Sequence, residues 1–307
     1  MKVNILLSSY NGEKYIAEQI KSIQAQSVQD WQLIVRDDGS KDRTCEIVAG
    51  LAESDPRIRL VQGANVGVIP SFFEALKLED ADFYFFCDQD DVWLPNKLEL
   101  VLATADLHDN DKPVLYYTDL KVVDKELNVL SNSMIKSQSD HANTRLNQEL
   151  TENTVTGCTM MINQKLADSW TDTDDVIMHD WYLAVAAAAL GELVYIDQPT
   201  VLYRQHGDNV LGARTLSKRI KNWTNNWLKK YWWLITSSQK QGAKLLANSE
   251  LSAENRQLIE DYVGILEQDF AGRRQLLKSQ QLKKNRFVHA LVFRTLILTK
   301  LAYKKQG

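Results

Sequence analysis

A chain of 307 residues with 44% apolar and 25% charged residues is long enough to bury a sizeable core, which excludes a disordered or fibrous protein. Three widely spaced cysteines, Cys45, Cys87 and Cys158, exclude a disulfide framework and a cysteine-rich zinc site, and point to a reducing, cytoplasmic compartment. The net charge of −4 conceals a split: residues 1–213 carry 17 Lys and Arg against 34 Asp and Glu, and residues 214–307 carry 19 against 6, so the two parts are expected to meet different partners.

The opening "MKVNILLSSYNG" is too short and too β-like for a signal peptide, and no run of about 20 uncharged apolar residues is present to cross a membrane. "VNILLSS" (3–9) is a continuous apolar run, as in a strand covered on both faces. "EKYIAEQIKSIQAQS" (13–27) sets Tyr15, Ile16, Gln19, Ile20 and Ile23 at helical spacing, "WQLIVRDD" (31–38) is strand-like, and "SKDRTCEIVAGLAES" (40–54) reads as a helix with Ser40 as N-cap. "RIRLVQG" (57–63), "IPSFFEALKLED" (69–80, with Pro70 near its start) and "DFYFFCD" (82–88) add strand, helix and strand. This alternation predicts an α/β fold with a parallel sheet and helices on both sides. Its ligand belongs beyond the carboxyl ends of the strands, at residues 8–11, 37–38, 63–67 and 88–91. Further on, "PVLYYTDLKVVDKE" and "TVTGCTMMINQ" read as strands, "DWYLAVAAAALGE" (180–192) as a helix, and "LVYIDQPTVLYRQH" (193–206) as a strand pair broken at Pro199. From about Thr215 the strands stop and helical, basic, aromatic segments follow, which places a boundary near residue 213.

The predicted sheet edge gathers the residues that can carry chemistry. In "CDQDDVW", aspartates at i and i+2 of a strand end can hold one hard divalent cation, Mg²⁺ or Mn²⁺, while Asp91 reads as the cap of a helix beginning near Trp93. "SSYNGEKYI" offers an aromatic face, hydrogen-bonding groups and a helix N-terminus suited to anions, or else a polar turn at Asn11-Gly12. In "RDDGS", Asp37 or Asp38 can accept from a base or sugar, or can build an Asx-turn. Later, Gly157 of "TVTGCTM" suits close approach by a substrate. "MHDWYLA" puts His179, Asp180 and Trp181 at a helix start, where Asp180 is a candidate general base or an N-cap. "YRQHGDN" brings Arg204 and His206, the histidine a metal or phosphate ligand or a structural residue.

Together "ILLSSYNGEKYIAEQIKSIQAQS", "LIVRDDGSKDRT", "FYFFCDQDDVWLPNKL", "TGCTM", "HDWYLA" and "YRQHGDN" resemble family-2 glycosyltransferases in motif and order over roughly residues 1–210, most of all the bacterial rhamnosyltransferase-type members that build cell-wall or capsular polysaccharide. The resemblance implies a GT-A fold over 1–213, with a Rossmann-like nucleotide-binding sheet, followed by a helical, basic and aromatic extension over 214–307. It implies that Ser8, Ser9, Tyr10, Asn11, Glu13, Asp38, Asp88 and Gln89 bind the nucleotide sugar, with Tyr10 near the base. It further implies that Asp88, Asp90 and His206 hold the metal, that Asp180 is the catalytic base, and that Gly157, His179, Trp181 and Arg204 lie on the acceptor side. The residue before the base is often Glu in this family and here is His179. The implied reaction is an inverting, metal-dependent transfer of a sugar, with dTDP-β-L-rhamnose as the foremost donor and UDP-Glc, UDP-Gal or UDP-GlcNAc as alternatives. The implied acceptor is a glycan, lipid-linked through polyprenyl diphosphate.

Two other readings compete. A nucleotidyltransferase also uses strand-end aspartates and a metal, but it needs a glycine-rich basic loop, and residues 5–15 hold one lysine and one glycine. A non-catalytic nucleotide- or glycan-binding module would keep the same edge without turnover. In the tail, "NWTNNWLKKYWWLI" (222–235) and "KKNRFVHALVFRTLILTKLAYKK" (283–305) mix aromatic and basic residues, as at a water–lipid interface. The expectation is either peripheral attachment to the inner face of the cell membrane, or a helical bundle packed on the catalytic domain or forming a homo-oligomer contact. No nucleic-acid-binding motif accompanies the charge.

Overall fold

The computed structural model describes residues 1–205 and 227–303, so the metal role expected of His206 lies outside the described residues. The apolar run at 3–9 forms strand β1 (Val3–Ser9), flanked in parallel by β2 (Gln32–Asp37) and β4 (Phe83–Asp88), with β3 (Ile58–Gln62) parallel to β2. The crossovers are α1 (Ile16–Gln24), α2 (Thr44–Ser54) and α3 (Val68–Leu76). Both faces of β1 are apolar because alternate residues feed two cores. Ile5 and Leu7 join Leu33, Val35, Phe85 and Cys87 against Ile16 and Ile20 of α1, whereas Leu6 joins Ile34, Tyr84 and Phe86 against Phe72 of α3.

The chain continues through β5 (Val92–Trp93), α4 (Lys97–Ala105), β6 (Val114–Val123), β7 (Val129–Ser131), α5 (Met134–Gln138), α6 (Leu146–Glu149), β8 (Met160–Asn163), α7 (Gln164–Ser169), α8 (His179–Leu190) and β9 (Glu192–Arg204). The strands lie in the order β3-β2-β1-β4-β8-β6-β9-β5, with β7 on β6. Strand β8 is antiparallel to both β4 and β6, and β9 runs parallel to β6.

Three local expectations are corrected. The segment containing Pro199 is one strand, not a broken pair: Pro199 pairs with Asp119, and the register slips there, which spares proline a ladder N–H. Helix α2 starts at Thr44 and not at Ser40, whose hydroxyl instead donates to Asp37. The helix expected near Trp93 begins at Lys97, because Trp93 pairs with Val201 in the sheet.

Among the described residues, four further helices follow: α9 (Trp227–Leu245), α10 (Ala253–Val263), α11 (Phe270–Ser279) and α12 (Phe287–Thr299). Trp232, Ile235, Leu245, Ile259, Phe293 and Leu296 lie in the same core as Phe86, Trp181 and Leu183. The charge shift at residue 213 is therefore a change of surface within one continuous core. Trp232→Ala is expected to destabilise the protein by about 3–5 kcal/mol, the usual cost of emptying a buried tryptophan site. Calorimetry should show a single transition moving to lower temperature; two transitions, with only one moved, would mean that the C-terminal helices hold a core of their own.

Candidate functional site

The strand register assembles the edge. Ser8 pairs with Arg36 on one side and Asp88 on the other, and Ser9 pairs with Asp37, so these side chains arrive together at the carboxyl end. The loops beyond are tied to each other. The Tyr10 N–H donates to Gln89 Oε1 (2.9 Å), and Gln89 Nε2 donates to the Tyr10 carbonyl (3.1 Å). Gly12 leaves room for this amide: a Cβ there would lie 2.2 Å from Gln89 Oε1 and would displace it. Asn11 holds a left-handed φ of 48°, its N–H donating to Ser40 Oγ and its side-chain oxygen accepting from the Lys41 N–H. Glu13 accepts from the Arg43 N–H (3.0 Å). Asn11 and Glu13 thus bind the loop between β2 and α2. Tyr10 is left 44% exposed above this frame.

The two aspartates of "RDDGS" both turn inward. Asp37 accepts from Ser9 Oγ, from Ser40 Oγ and from the Gly39 and Ser40 N–H groups, which shapes the turn. Asp38 is buried, paired with the Arg36 guanidinium and accepting from the Val66 and Gly67 N–H groups (2.8 Å each). It locks the β3–α3 loop to the edge.

In the D-Q-D-D turn, Asp88 and Asp90 are partly exposed and Asp91 is wholly buried. Burial, reinforced by the charges of Asp90 and Asp180, raises the Asp88 carboxyl above its ordinary range. Asp91 does not cap a helix. Its Oδ1 accepts from the Arg204 N–H (3.0 Å), and burial followed by the charges of Asp88 and Asp90 raises its carboxyl well above the ordinary range. Arg204 is not on an acceptor surface: it is buried, with Nε donating to the Asp90 carbonyl (2.8 Å), Nη1 to the Lys125 carbonyl (2.7 Å), an ion pair to Glu18 and its guanidinium over the Tyr15 ring. It therefore fixes the backbone of the turn.

Among the described residues, ligand atoms of Asp88, Asp91 and Cys158 come within 4.8 Å of one another. Mg²⁺ and Mn²⁺ take oxygen ligands, and burial raises both the Cys158 thiol and the Asp91 carboxyl, so this buried set is a poor match for either ion. Asp88 and Asp90, partly exposed, offer carboxylate oxygens of the kind those ions take.

Asp180 sits in the first turn of α8, 7% exposed. Its Oδ1 accepts from the Trp181 N–H (2.6 Å) and from Asn153 Nδ2 (3.4 Å), and its Oδ2 from the Gly157 N–H (3.2 Å). Burial outweighs these bonds and raises its carboxyl to about 6. Gly157 does not face a substrate. A Cβ there would lie 2.9 Å from His179 Nε2, so the glycine makes room for that ring and lends its N–H to Asp180. The His179 ring is buried between Phe72 (4.6 Å between centroids) and Phe86 (5.7 Å), and burial depresses it to about 4, so it stays neutral. Trp181 is also buried, its indole N–H on the Glu149 carbonyl (2.7 Å).

Sequence reasoning missed Glu149, Asn153 and Lys97. Glu149 is fully buried; it accepts from the Thr154 N–H and hydroxyl, and burial with the Asp180 charge nearby raises it to about 8. Lys97 is buried over the Trp93 ring, bonded to the Thr159 carbonyl and Thr200 Oγ1, and depressed to about 8 by burial. None has a recognisable motif: the partners of Asn153 and Lys97 are distant or backbone, and the Glu149–Thr154 pair, five residues apart, follows no recurring pattern.

The raised Asp180 carboxyl has a consequence for stability. Between the ordinary carboxyl value and about pH 6 the folded state binds more protons than the unfolded state, so stability falls as pH rises through that window. Above it, ionised Asp180 costs up to roughly 3 kcal/mol. Asp180→Asn is expected to gain melting temperature relative to the native protein as pH goes from 4 to 8, offset in part by the acceptor oxygen that Asn lacks. A mutant-minus-native difference that stays flat with pH would mean that the carboxylate is not strained.

The family model for glycosyl transferase family 2 matches residues 4–171. The dTDP-rhamnosyl transferase RfbG of Shigella flexneri is 29% identical over 284 residues, covering 85% of this chain and 90% of that protein. The UDP-Glc:alpha-D-GlcNAc-diphosphoundecaprenol beta-1,3-glucosyltransferase WfgD of Escherichia coli is 38% identical over 102 residues, 33% of this chain and 40% of that protein. Among solved structures, S. aureus TarS 1–349 in complex with UDP-GlcNAc matches with a TM-score of 0.60 at 17% identity, over 91% of this chain and 79% of that one. The mannosyltransferase PcManGT from Pyrobaculum calidifontis, in complex with GDP-Man and Mn²⁺, matches with a TM-score of 0.54 at 14% identity, over 98% and 88%. These neighbours are GT-A glycosyltransferases, and the sheet described above has that fold. With its family model spanning more than half of the chain, the protein belongs to glycosyltransferase family 2.

Proposed function

We propose that this glycosyltransferase inverts the anomeric centre of a nucleotide-activated sugar, with Asp180 as the base. The observation that carries the reading is a buried, proton-hungry Asp180 whose charge reaches Asp88, on the edge where Ser8, Tyr10 and the D-Q-D-D turn converge. Tyr10, exposed on a braced loop, offers its ring to the nucleobase, and Ser8 and Gln89 border the same space. Asp88 and Asp90 fit as ligands of Mn²⁺ or Mg²⁺, which when bound supplies Lewis-acid neutralisation of the leaving diphosphate. Asp180 takes the proton of the acceptor hydroxyl; the oxygen forms its bond to the anomeric carbon as the carbon–phosphate oxygen bond breaks, and the electron pair leaves with the nucleoside diphosphate.

The likeness to RfbG over most of both chains supports dTDP-β-L-rhamnose as donor, and inversion then gives an α-L-rhamnosyl product. The lipid-diphosphate acceptor named for WfgD supports a polyprenyl-diphosphate-linked glycan of a bacterial surface polysaccharide as acceptor. A panel of dTDP-rhamnose, UDP-Glc, UDP-Gal and UDP-GlcNAc with Mn²⁺ is expected to give nucleoside diphosphate release from the rhamnose donor, suppressed by EDTA. Formation of nucleoside triphosphate and sugar 1-phosphate from these donors on addition of pyrophosphate would favour a nucleotidyltransferase. Asp180→Asn is expected to lower turnover by about 10²–10⁴-fold with donor affinity kept, and kcat/KM of the native enzyme should fall below about pH 6 as the base is protonated. Turnover retained in the mutant removes Asp180 from the role.

No helix of the described residues is long and apolar enough to cross a membrane. Helices α9 and α12 touch through Tyr231 and His289; Trp233 of α9 and Phe287, Val288 and Leu291 of α12 are exposed, as are Lys229, Lys230 and Arg294 of the same two helices. Apolar side chains ringed by cations favour an anionic lipid surface, where the lipid-linked acceptor resides. The protein is expected to sediment with phosphatidylglycerol vesicles and not with phosphatidylcholine vesicles, and Phe287→Ser with Leu291→Glu should abolish this without loss of folding. Equal sedimentation of the double variant would exclude this face.

A further inference from the structure

The C-terminal helices hold both chain segments that carry the candidate base. Ahead of α8, the Ile177 and Met178 N–H groups donate to Gln241 Oε1 of α9 (2.9 and 3.2 Å), their one acceptor among the described residues. Gln241 is wholly buried, and its Nε2 finds no acceptor there, so the residue serves through its oxygen. The second segment, 150–153, ends at Asn153, whose amide reaches Asp180 (3.4 Å). It too is gripped from the C-terminal side. Lys284 Nζ, buried, donates to the Thr151 carbonyl (2.7 Å), Thr151 Oγ1 donates to the Lys283 carbonyl (2.7 Å), the Asn285 N–H donates to Glu152 Oε2 (2.9 Å), and Ser238 of α9 donates to the Leu150 carbonyl. Gly242 lets α9 come this close, since a Cβ there would already crowd the Leu150 side chain at 3.2 Å.

We infer that Gln241 and Lys284 are positioning residues for Asp180: through them the region beyond residue 213 sets the geometry of the transfer step. The inference rests on the reading of Asp180 as the base. A carboxylate in a first helical turn moves with the two residues that enter the helix, and a displacement of about 1 Å at a reacting group can cost roughly 10²-fold in rate. The donor side, built from residues 8–91, makes no bond to Gln241 or Lys284, so a fault here should appear in turnover and not in donor affinity.

The test uses full-length Gln241→Met and Lys284→Met, which keep side-chain volume and remove the oxygen and the cation. For each, nucleoside diphosphate release from the donor turned over by the native enzyme, donor KM, thermal unfolding and backbone amide exchange are measured. The expected result is a fall in kcat of about 10- to 100-fold with donor KM within about two-fold, and faster exchange over 176–181 for Gln241→Met and over 150–157 for Lys284→Met. Gln241→Glu should restore kcat, because it keeps the accepting oxygen and a carboxylate is favoured at a helix N-terminus; Lys284→Arg should also restore it. Unchanged kcat with a lowered melting temperature makes the two ordinary packing residues and overturns the inference. If the native protein releases no nucleoside diphosphate from any donor, the reading of Asp180 as base is what fails. Amide exchange still decides the tie, since fast exchange of Ile177 and Met178 in the native protein overturns it without any variant.

Discussion

The constraint on which the site depends is the crowding of carboxyl groups at one sheet edge. Asp88, Asp90, Asp91, Asp180 and Glu149 act on one another electrostatically. Two ionised carboxylates about 4 Å apart repel by on the order of 4 kcal/mol at an effective dielectric near 20. Five negative charges could not be held there by packing alone. The fold divides the group instead. Asp91 and Glu149 are sealed away with their carboxyls raised, Asp88 and Asp90 are left partly exposed, and Asp180 lies between, its charge steadied by backbone N–H groups.

The second condition is that the backbone carrying these groups does not move. Side chains reach across the edge to bond the next loop's backbone: Gln89 to Tyr10, Asn11 to Lys41, Glu13 to Arg43, Asp38 to Val66 and Gly67, and Arg204 to the Asp90 carbonyl. These loops are ordered by their own bonds, so the edge is braced without help from a ligand. Several charged residues that look like ligand contacts in the sequence bond neighbouring backbone instead, and Tyr10, Ser8, Asp88 and Asp90 are left partly or more fully exposed at the edge.

That difference explains what could be read from the sequence. The period-two and helical patterns gave β1 to β4 and their crossovers, and strand ends gave the edge, because both follow from local rules. The role of Asp91 was not legible, since capping logic looks a few residues ahead whereas its donor, Arg204, is 113 positions away. Gly157 carried a real signal, a glycine between small polar residues, but the close approach it permits is by His179 and not by a substrate. Asn153, Gln241 and Lys284 have no pattern at all: each acts through one or two long-range bonds. The break at residue 213 was legible as charge, and charge reports on surface. The core crosses it through Trp232 and Phe293.

The C-terminal helices consequently have two faces with different duties, and the neighbouring pair Trp232 and Trp233 separates them. Trp232 is buried, its indole N–H on the Leu301 carbonyl, while Trp233 is half-exposed beside the basic residues of α9. The inner face bonds the segments around Asp180, and the outer face is apolar and cationic. Because both belong to the same packed helices, the outer face is tied to the segments around Asp180 by rigid elements and not by a flexible linker. A basic, aromatic tail that reads in the sequence as a separate region is, in this arrangement, part of what holds Asp180 in place.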